Sequence, residues 1–438
     1  MEVNMEELLE QARKTAEEAE VFAVWAEETD AVFETNRLKQ VQTRESSGRA
    51  LRLIKNGRIG FSASNRINGT NELVEMALEM APMGAEARFQ FPSANSFPGV
   101  EVYDRAIENV TEEQMVELGQ SLIDAVRKHS PDVICQGSVS KNTVRVEIMN
   151  SNGGRAAYRK SVYGFGIEGL LVRGTDMLFV GDAESSCHPL KDSRRVAEAT
   201  IQQLEWARET APALDGQLPV IFTPNGVAGA LVAPLALAIN GKVVYQGASP
   251  LGHRMGEKVL DAGISIWDDA TVDYRPGSRL CDDEGIPSRR TPLIDRGVVA
   301  NFIYDLQTAG LCGSNSTGNA SRGLANLPGP SLSTVLIGTG DATFEDMLAG
   351  IKEGLVVEQL MGASQGNVLG GDFSGNVLLG YMVKDGRIIG RVKDTMVSGN
   401  VYEALKEGVV IGREAKWVGG RLSVPHIMCP RLAVSTRR

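Results

Sequence analysis

The sequence predicts an α+β protein, with an N-terminal α/β-mixed domain of antiparallel hairpins and helices followed by a β-rich C-terminal domain. Three observations carry this. In the first half, strand-like runs are interleaved with segments whose apolar residues recur at helical spacing. Beyond Gln217 helices become scarce and glycine-centred turns frequent. The Pro/Gly/Ser-rich stretch FQFPSANSFPGVEVYD (89–104) has no periodicity and reads as a linker or long surface loop. The domains are accordingly placed at residues 1–215 and 216–438, with the 89–104 linker as a candidate sub-boundary.

Taken in order, the chain opens with a helical pattern from Met5 to about Glu20, followed by the strand-like segments VFAVWAEE, AVFETNRLKQVQTRE and RALRLIKNGRIGFSAS. Asn56-Gly57 between RLIK and RIGF signals a hairpin, because both residues tolerate the positive φ of a type I′ turn. A helix is expected over about Asn71 to Ala81. Thr111 with Gln114 three residues on forms a capping box ahead of MVELGQSLIDAVRKH. The strands of VRVEIMNSNGGRAAYRKSVYGFGIEGLLVRG come next, then a helix from about Arg194 to Arg208. In the second half, turns at Asp295-Arg296-Gly297 and Asp385-Gly386 mark two hairpins. Short helices follow the Thr343/Asp346 pair and Asn400 with Glu403. The segments IKNGRIG and VKDGRIIG look alike, but each is sufficiently explained as a hairpin.

Composition narrows the function. A chain of 438 residues with 42% hydrophobic content has enough apolar material for two or three domains. Its net charge of −10 is dispersed, and no basic run offers a phosphate-neutralising surface, which argues against nucleic acid. The start MEVNMEELLEQARKTAEEAE lacks the basic and apolar regions of a secretory signal, so a cytoplasmic protein is expected. The longest apolar run, Gly226 to Ile239, falls short of the roughly 18 residues that argue for a membrane span. Cys135, Cys187, Cys281, Cys312 and Cys429 are odd in number and far apart, which suits a reducing compartment.

Candidate chemistry is sparse. Gly362-Ala363-Ser364-Gln365-Gly366 matches G-x-S-x-G, but a glycine-rich loop follows it and only His426 lies downstream, so Ser364 reads as a turn residue. Asp282, Asp283 and Glu284 form an acidic run that could hold a hard cation, though carboxylates clustered in a turn are more often solvated. Arg289 and Arg290 could clamp a carboxylate, yet strand neighbours face opposite ways. Cys187-His188 would need a bend to ligate one ion jointly. The histidines His129, His188, His253 and His426 are isolated, and no phosphate loop is present.

At DDEGIPSRRTPLIDRGVVANFIYDLQTAGLCGSNSTGNASR, then EGLVVEQLMGASQGNVLGGDFSGNVLLGYMVKDGRIIGRV, then SGNVYEAL, the chain resembles the TldD/PmbA (TldE) family in wording and order. The resemblance runs more weakly over about residues 20 to 430. It implies a fold shared by paired TldD and PmbA-type (TldE) chains, which together resemble a zinc peptidase acting on unfolded or extended peptides. In TldD the metal is held by a His-Glu-x-x-x-His stretch on a helix after a strand such as LPVIF, with a Cys near the C-terminus.

Laid on that pattern, GALVAPLALA (229–238) places Ala233 at the first His, Pro234 at the Glu and Ala238 at the second His. Trp417 to Gly419 stand where the third ligand is expected, and Cys429 lies about ten positions on. Methyl groups cannot hold zinc and proline cannot shuttle a proton. The resemblance therefore implies a PmbA/TldE-type chain with neither metal nor catalytic residues of its own, and zinc in a TldD-like partner. The run itself reads as a buried helix bent by Pro234. Gly371, Asp372, Phe373 and Ser374 correspond to a family motif near the inter-subunit cleft and, with Arg289 and Arg290, are the candidates for contacting peptide or partner.

The expected function is that of a non-catalytic subunit in a TldD/TldE-type metalloprotease, paired with a TldD-like chain around an extended peptide. The alternative is a homodimeric peptide- or protein-binding regulator of the gyrase-modulator type, without proteolysis. A stand-alone hydrolase using Ser364 or the Asp282–Glu284 run has the least support.

Overall fold

The computed structural model describes residues 5–66, 69–363 and 365–437, and is mixed α+β. Six antiparallel strands build the first sheet: β1 (Glu18–Glu34), β2 (Arg37–Lys55), β3 (Arg58–Ser64), β4 (Ile134–Asn150), β5 (Arg155–Arg173) and β6 (Asp176–Ser186), in the order β3-β2-β1-β4-β5-β6. The strand-like run 21–28 and the start of the next, 31–34, form one continuous strand, buried on both faces over Ala19–Ala23 and alternating in burial from Thr29 to Phe33. The opening helix stops at Arg13, with four residues between it and the start of β1 at Glu18, so it is shorter than its amphipathic pattern suggests. Asn56 (φ 51°) and Gly57 (φ 70°) make the β2–β3 turn with the expected positive φ values.

The period-2 geometry of β1 divides its two faces. Its odd-numbered residues Ala19, Val21 and Ala23 pack on helices Met5–Arg13 and Thr70–Met80, while Ala31 and Phe33 pack beneath helix Glu112–His129. The even-numbered Phe22 instead meets Cys281, which brings the opposite face against the second half of the chain. Helix Glu112–His129 carries the complete Thr111/Gln114 capping box.

In the second half an eleven-stranded sheet closes on itself. Strand β7 (Gly216–Phe222) pairs in parallel with Glu353–Met361 and antiparallel with Leu422–Thr436. Strands Asp372–Lys384 and Thr395–Asn400 complete the ring between them, giving a β-barrel filled by Val220, Phe222, Leu355, Val357, Phe373 and Val397. The hairpin turns at Arg296-Gly297 and Asp385-Gly386 both have positive φ at the two central residues. A shared apolar layer joins helix Arg194–Trp206 to Val356, Leu379 and Tyr381 on the barrel's other face. Among the described residues, no helix is long and apolar enough to cross a membrane.

Candidate functional site

The helix position singled out by the sequence follows β7 directly. Thr223 caps helix Pro224–Ala230, accepting from Gly226 N at 3.3 Å, with Pro224 in the first turn where its missing N–H costs nothing. The chain then breaks at Leu231 and restarts as helix Val232–Ala238. The bend thus lies three residues before Pro234, because the proline ring cannot donate to the Ala230 carbonyl one turn upstream and crowds it. Ala233 is exposed, whereas Pro234 and Ala238 are buried. Beneath this helix a cavity of about 20 Å³ is walled only by apolar residues, among them Leu235, Ile239, Ile266 and Leu293. Neither a cation nor an ordered water has a partner there.

The remaining candidate ligands are dispersed. Trp417, one residue before the end of strand Val410–Val418, lies under the guanidinium of Arg275, 4.1 Å from its ring centre. Cys429 is wholly buried opposite Val220 in the barrel wall, and burial pushes its thiol up to about 12. His426 packs its ring 4.8 Å from Phe344, where burial lowers it to about 4 and keeps it neutral. Cys187 is buried while His188 turns away to Asp104, Nδ1 to Oδ2 at 2.6 Å. Among the described residues, no three His, Cys, Asp or Glu side chains converge as a metal site. The donor set here does not fit zinc. Ser364 lies outside the described residues.

The Gly371–Ser374 motif forms the mouth of strand Asp372–Lys384. Gly371 has φ 88°, and a Cβ there would stand 2.5 Å from the ring of Tyr402, so both backbone conformation and space require glycine. Its carbonyl accepts from Val401 N at 2.8 Å. Asn400 Nδ2 reaches both Gly370 O and Asp372 Oδ1 at 2.8 Å, so Asp372 is held by the neighbouring strand rather than by its own turn. Phe373 enters the barrel core edge-on to Phe222, while Ser374 is exposed. The Tyr402 hydroxyl shares its proton between Leu369 O (3.2 Å) and Pro234 O (3.3 Å), stitching this loop to helix Val232–Ala238.

Arg289 and Arg290 do not join that group. Arg289 caps the carbonyls of Ser316 and Thr317, whereas Arg290 lies over Trp267 at 4.7 Å and 3.8 Å from Asp269. Strand Arg290–Asp295, which Arg289 immediately precedes, is separated from Asp372–Lys384 by four others in the sheet order.

The acidic run is also not what its composition suggests. Asp282 and Glu284 are fully buried rather than solvated. Asp282 accepts from the backbone N–H groups of Glu284, Ile286 and Ala320 at 2.9–3.0 Å. Glu284 accepts from Arg52 Nη1 at 2.6 Å and from Leu306 N at 2.7 Å. Arg52 in turn faces Glu20 across the β1–β2 ladder, and Arg322 reaches Glu20 at 2.9 Å and the Asp283 backbone at 2.7 Å. Arg279 stands 3.6 Å from Asp283, so three guanidinium groups offset Glu20, Asp283 and Glu284. Burial pushes the Glu284 carboxyl upward against the pull of Arg52. These charges form the joint between the two halves of the chain, leaving no open coordination position.

Sequence reasoning overlooked Glu358, whose signal was a lone acid inside the apolar run LVVEQL. It is buried beside the first helical turn after β7, accepting from Asn225 Nδ2 at 2.8 Å, and burial raises its pKa. Tyr402 was overlooked too, because its hydroxyl joins segments far apart in the chain.

Comparison with known proteins places this architecture. The chain matches the PmbA/TldA metallopeptidase domain 1 over residues 19–81, the central domain over 105–208 and the C-terminal domain over 215–436. It is 26% identical over 409 residues to an uncharacterized protein of Methanocaldococcus jannaschii, covering 93% of this chain and 94% of that one. To the metalloprotease TldD homolog of Haemophilus influenzae it is 24% identical, covering 89% and 84%. In fold it is similar to TldE from Thermococcus kodakarensis, with a TM-score of 0.90, 23% identity and coverage of 98% and 99%. A putative modulator of a DNA gyrase from Thermotoga maritima matches with a TM-score of 0.87, 21% identity and coverage of 98% and 99%. With three successive domains matched along its length, the chain belongs to the PmbA/TldD family of metallopeptidase-related proteins.

Proposed function

We propose that this chain is the non-catalytic, PmbA/TldE-like subunit of a TldD/TldE-type zinc metalloprotease that processes unfolded or extended peptides. The observation that carries the reading is the occupancy of the zinc-motif positions by Ala233, Pro234 and Ala238, in a helix packed over an apolar cavity. No general base and no ligand can be drawn from these side chains. On this reading zinc and the attacking water belong to a TldD-like partner, and this chain contributes shape. The Gly371–Ser374 mouth, pinned by Asn400 and Tyr402, is the surface assigned to peptide or partner.

Reconstitution tests the reading. An unstructured peptide is incubated with this chain, with a TldD-like chain from the same organism, and with both, while zinc per chain is measured by elemental analysis on untagged protein. Cleavage only in the mixture, with zinc confined to the partner, is the expected result. Near one zinc per chain here, or a partner fully active alone, would remove it. Stable self-association without cleavage in any mixture would favour the homodimeric regulator instead, a reading in keeping with the name of the Thermotoga maritima neighbour.

A further inference from the structure

A second concave site lies in the N-terminal half, away from the barrel mouth. One face of helix Glu112–His129 and the segment 189–191 enclose a cavity of about 410 Å³. This falls within the roughly 300–1,000 Å³ of small-molecule sites. Its apolar surface comes from Val110, Leu118 and Leu190, and its polar surface includes Glu117, Lys191 and Tyr163.

Three features distinguish it from an incidental gap. Tyr163 is 2% exposed, yet its hydroxyl has no hydrogen-bond partner among the described residues. The hydroxyl is not sealed from solvent, so it stands free to donate to a ligand in the cavity that Tyr163 lines. Glu117 and Lys191, of opposite charge and both exposed, line the same cavity, and neither forms a salt bridge among the described residues, although the Lys191 charge also acts on Asp104.

The walls, finally, are tied together. Asp104 caps the short 3₁₀ turn Arg105–Asn109 that leads to Val110, and its Oδ2 lies 2.6 Å from Nδ1 of His188, the residue just before the opposite wall. Ser161 accepts from Asp104 N at 2.9 Å and donates to Cys187 O at 2.7 Å, linking both walls to the strand that carries Tyr163. The His188 ring is stacked on Tyr274 with centres 3.6 Å apart. The cavity is therefore preorganised, which lowers the ordering cost of binding.

We propose that this cavity binds a small zwitterion with an apolar side chain. Glu117 receives the ammonium group, Lys191 the carboxylate, and Val110, Leu118 and Leu190 the side chain, while the Tyr163 hydroxyl donates to a ligand oxygen. A free amino acid and a di- or tripeptide share this chemistry. The proposal does not depend on the zinc-subunit reading.

Titration calorimetry of the full chain with leucine, leucyl-leucine and the uncharged N-acetyl-leucine amide tests it. Saturable binding of at least one charged probe at one per chain is expected, with the uncharged compound weaker by at least about tenfold. The tighter of the two charged probes identifies the source as amino acid or peptide. Lys191→Met, an exposed substitution, is expected to weaken binding by about tenfold or more, and Leu118→Trp to abolish it by filling the space. Should Leu118→Trp fail to fold, Lys191→Met and the uncharged probe decide alone. Absence of saturable heat with both charged probes, equal binding of the uncharged compound, or unchanged affinity in Lys191→Met would overturn the proposal.

Discussion

The broken helix at 224–238 lies in the second half of the chain, the ionic joint around Glu284 ties that half to the first, and the two invert what composition suggests about each. The joint concentrates carboxylates and guanidinium groups in the interior, yet every carboxylate is met by a backbone N–H or an arginine, so its charge is consumed in holding the two halves together. The helix that follows β7 presents methyl groups, a proline and an apolar cavity, with no titratable side chain along it. Density of titratable groups is thus a poor guide to function in this molecule. What matters is whether a charge is left with an unmet partner.

The sharpest way to break this comparison is to remove one member of the joint. Arg52→Ala leaves Glu20 and Glu284 buried without their shared cation, and a loss of about 3–5 kcal/mol is expected by chemical denaturation. A loss below about 1 kcal/mol would mean that the joint is not an interior lock.

Histidine substitutions along the helix come next. Ala238 is wholly buried, so Ala238→His should cost about 1–3 kcal/mol through overpacking, while the exposed Ala233→His stays within about 0.5 kcal/mol. Equal effects at the two positions in a thermal melt would contradict the packing described for this helix.

A pH titration probes an interior group that is not paired. His426 is lowered to about 4 by burial, so the folded state favours the neutral ring. Its contribution is complete above the ordinary histidine pKa of about 6.5 and is lost as pH falls toward 4, by about 1–2 kcal/mol. His426→Phe should flatten that part of the stability profile, and an unchanged slope would assign it to other groups.

The smallest expected effect is at the stitch between loop and helix. Tyr402→Phe removes one shared hydrogen bond to Pro234 and Leu369 and should cost about 0.5–1.5 kcal/mol. Hydrogen exchange in 365–372 should rise in parallel, and unaltered exchange would show that the Asn400 contacts hold the loop unaided.

Local rules were legible in the sequence wherever the deciding partners lie within a few residues. Asn56-Gly57, the Thr111/Gln114 and Thr343/Asp346 boxes and the Asp385-Gly386 turn all depend on φ preferences or on bonds spanning three residues, and all are present. The absence of His and Glu between Asp215 and His253 was equally legible, because a missing side chain is missing in any fold.

What covers the second face of β1 was decided by tertiary structure alone. Glu20 and Arg52 meet Glu284 across 232 residues of chain from Arg52, and no local preference marks a solvated acidic turn apart from a buried one. The break at Leu231, the approach of Tyr402 to Gly371 and the separation of Arg289 and Arg290 from that loop have the same origin. Each depends on which surfaces pack together, and burial then sets whether a charge must be paired and whether a glycine can be replaced.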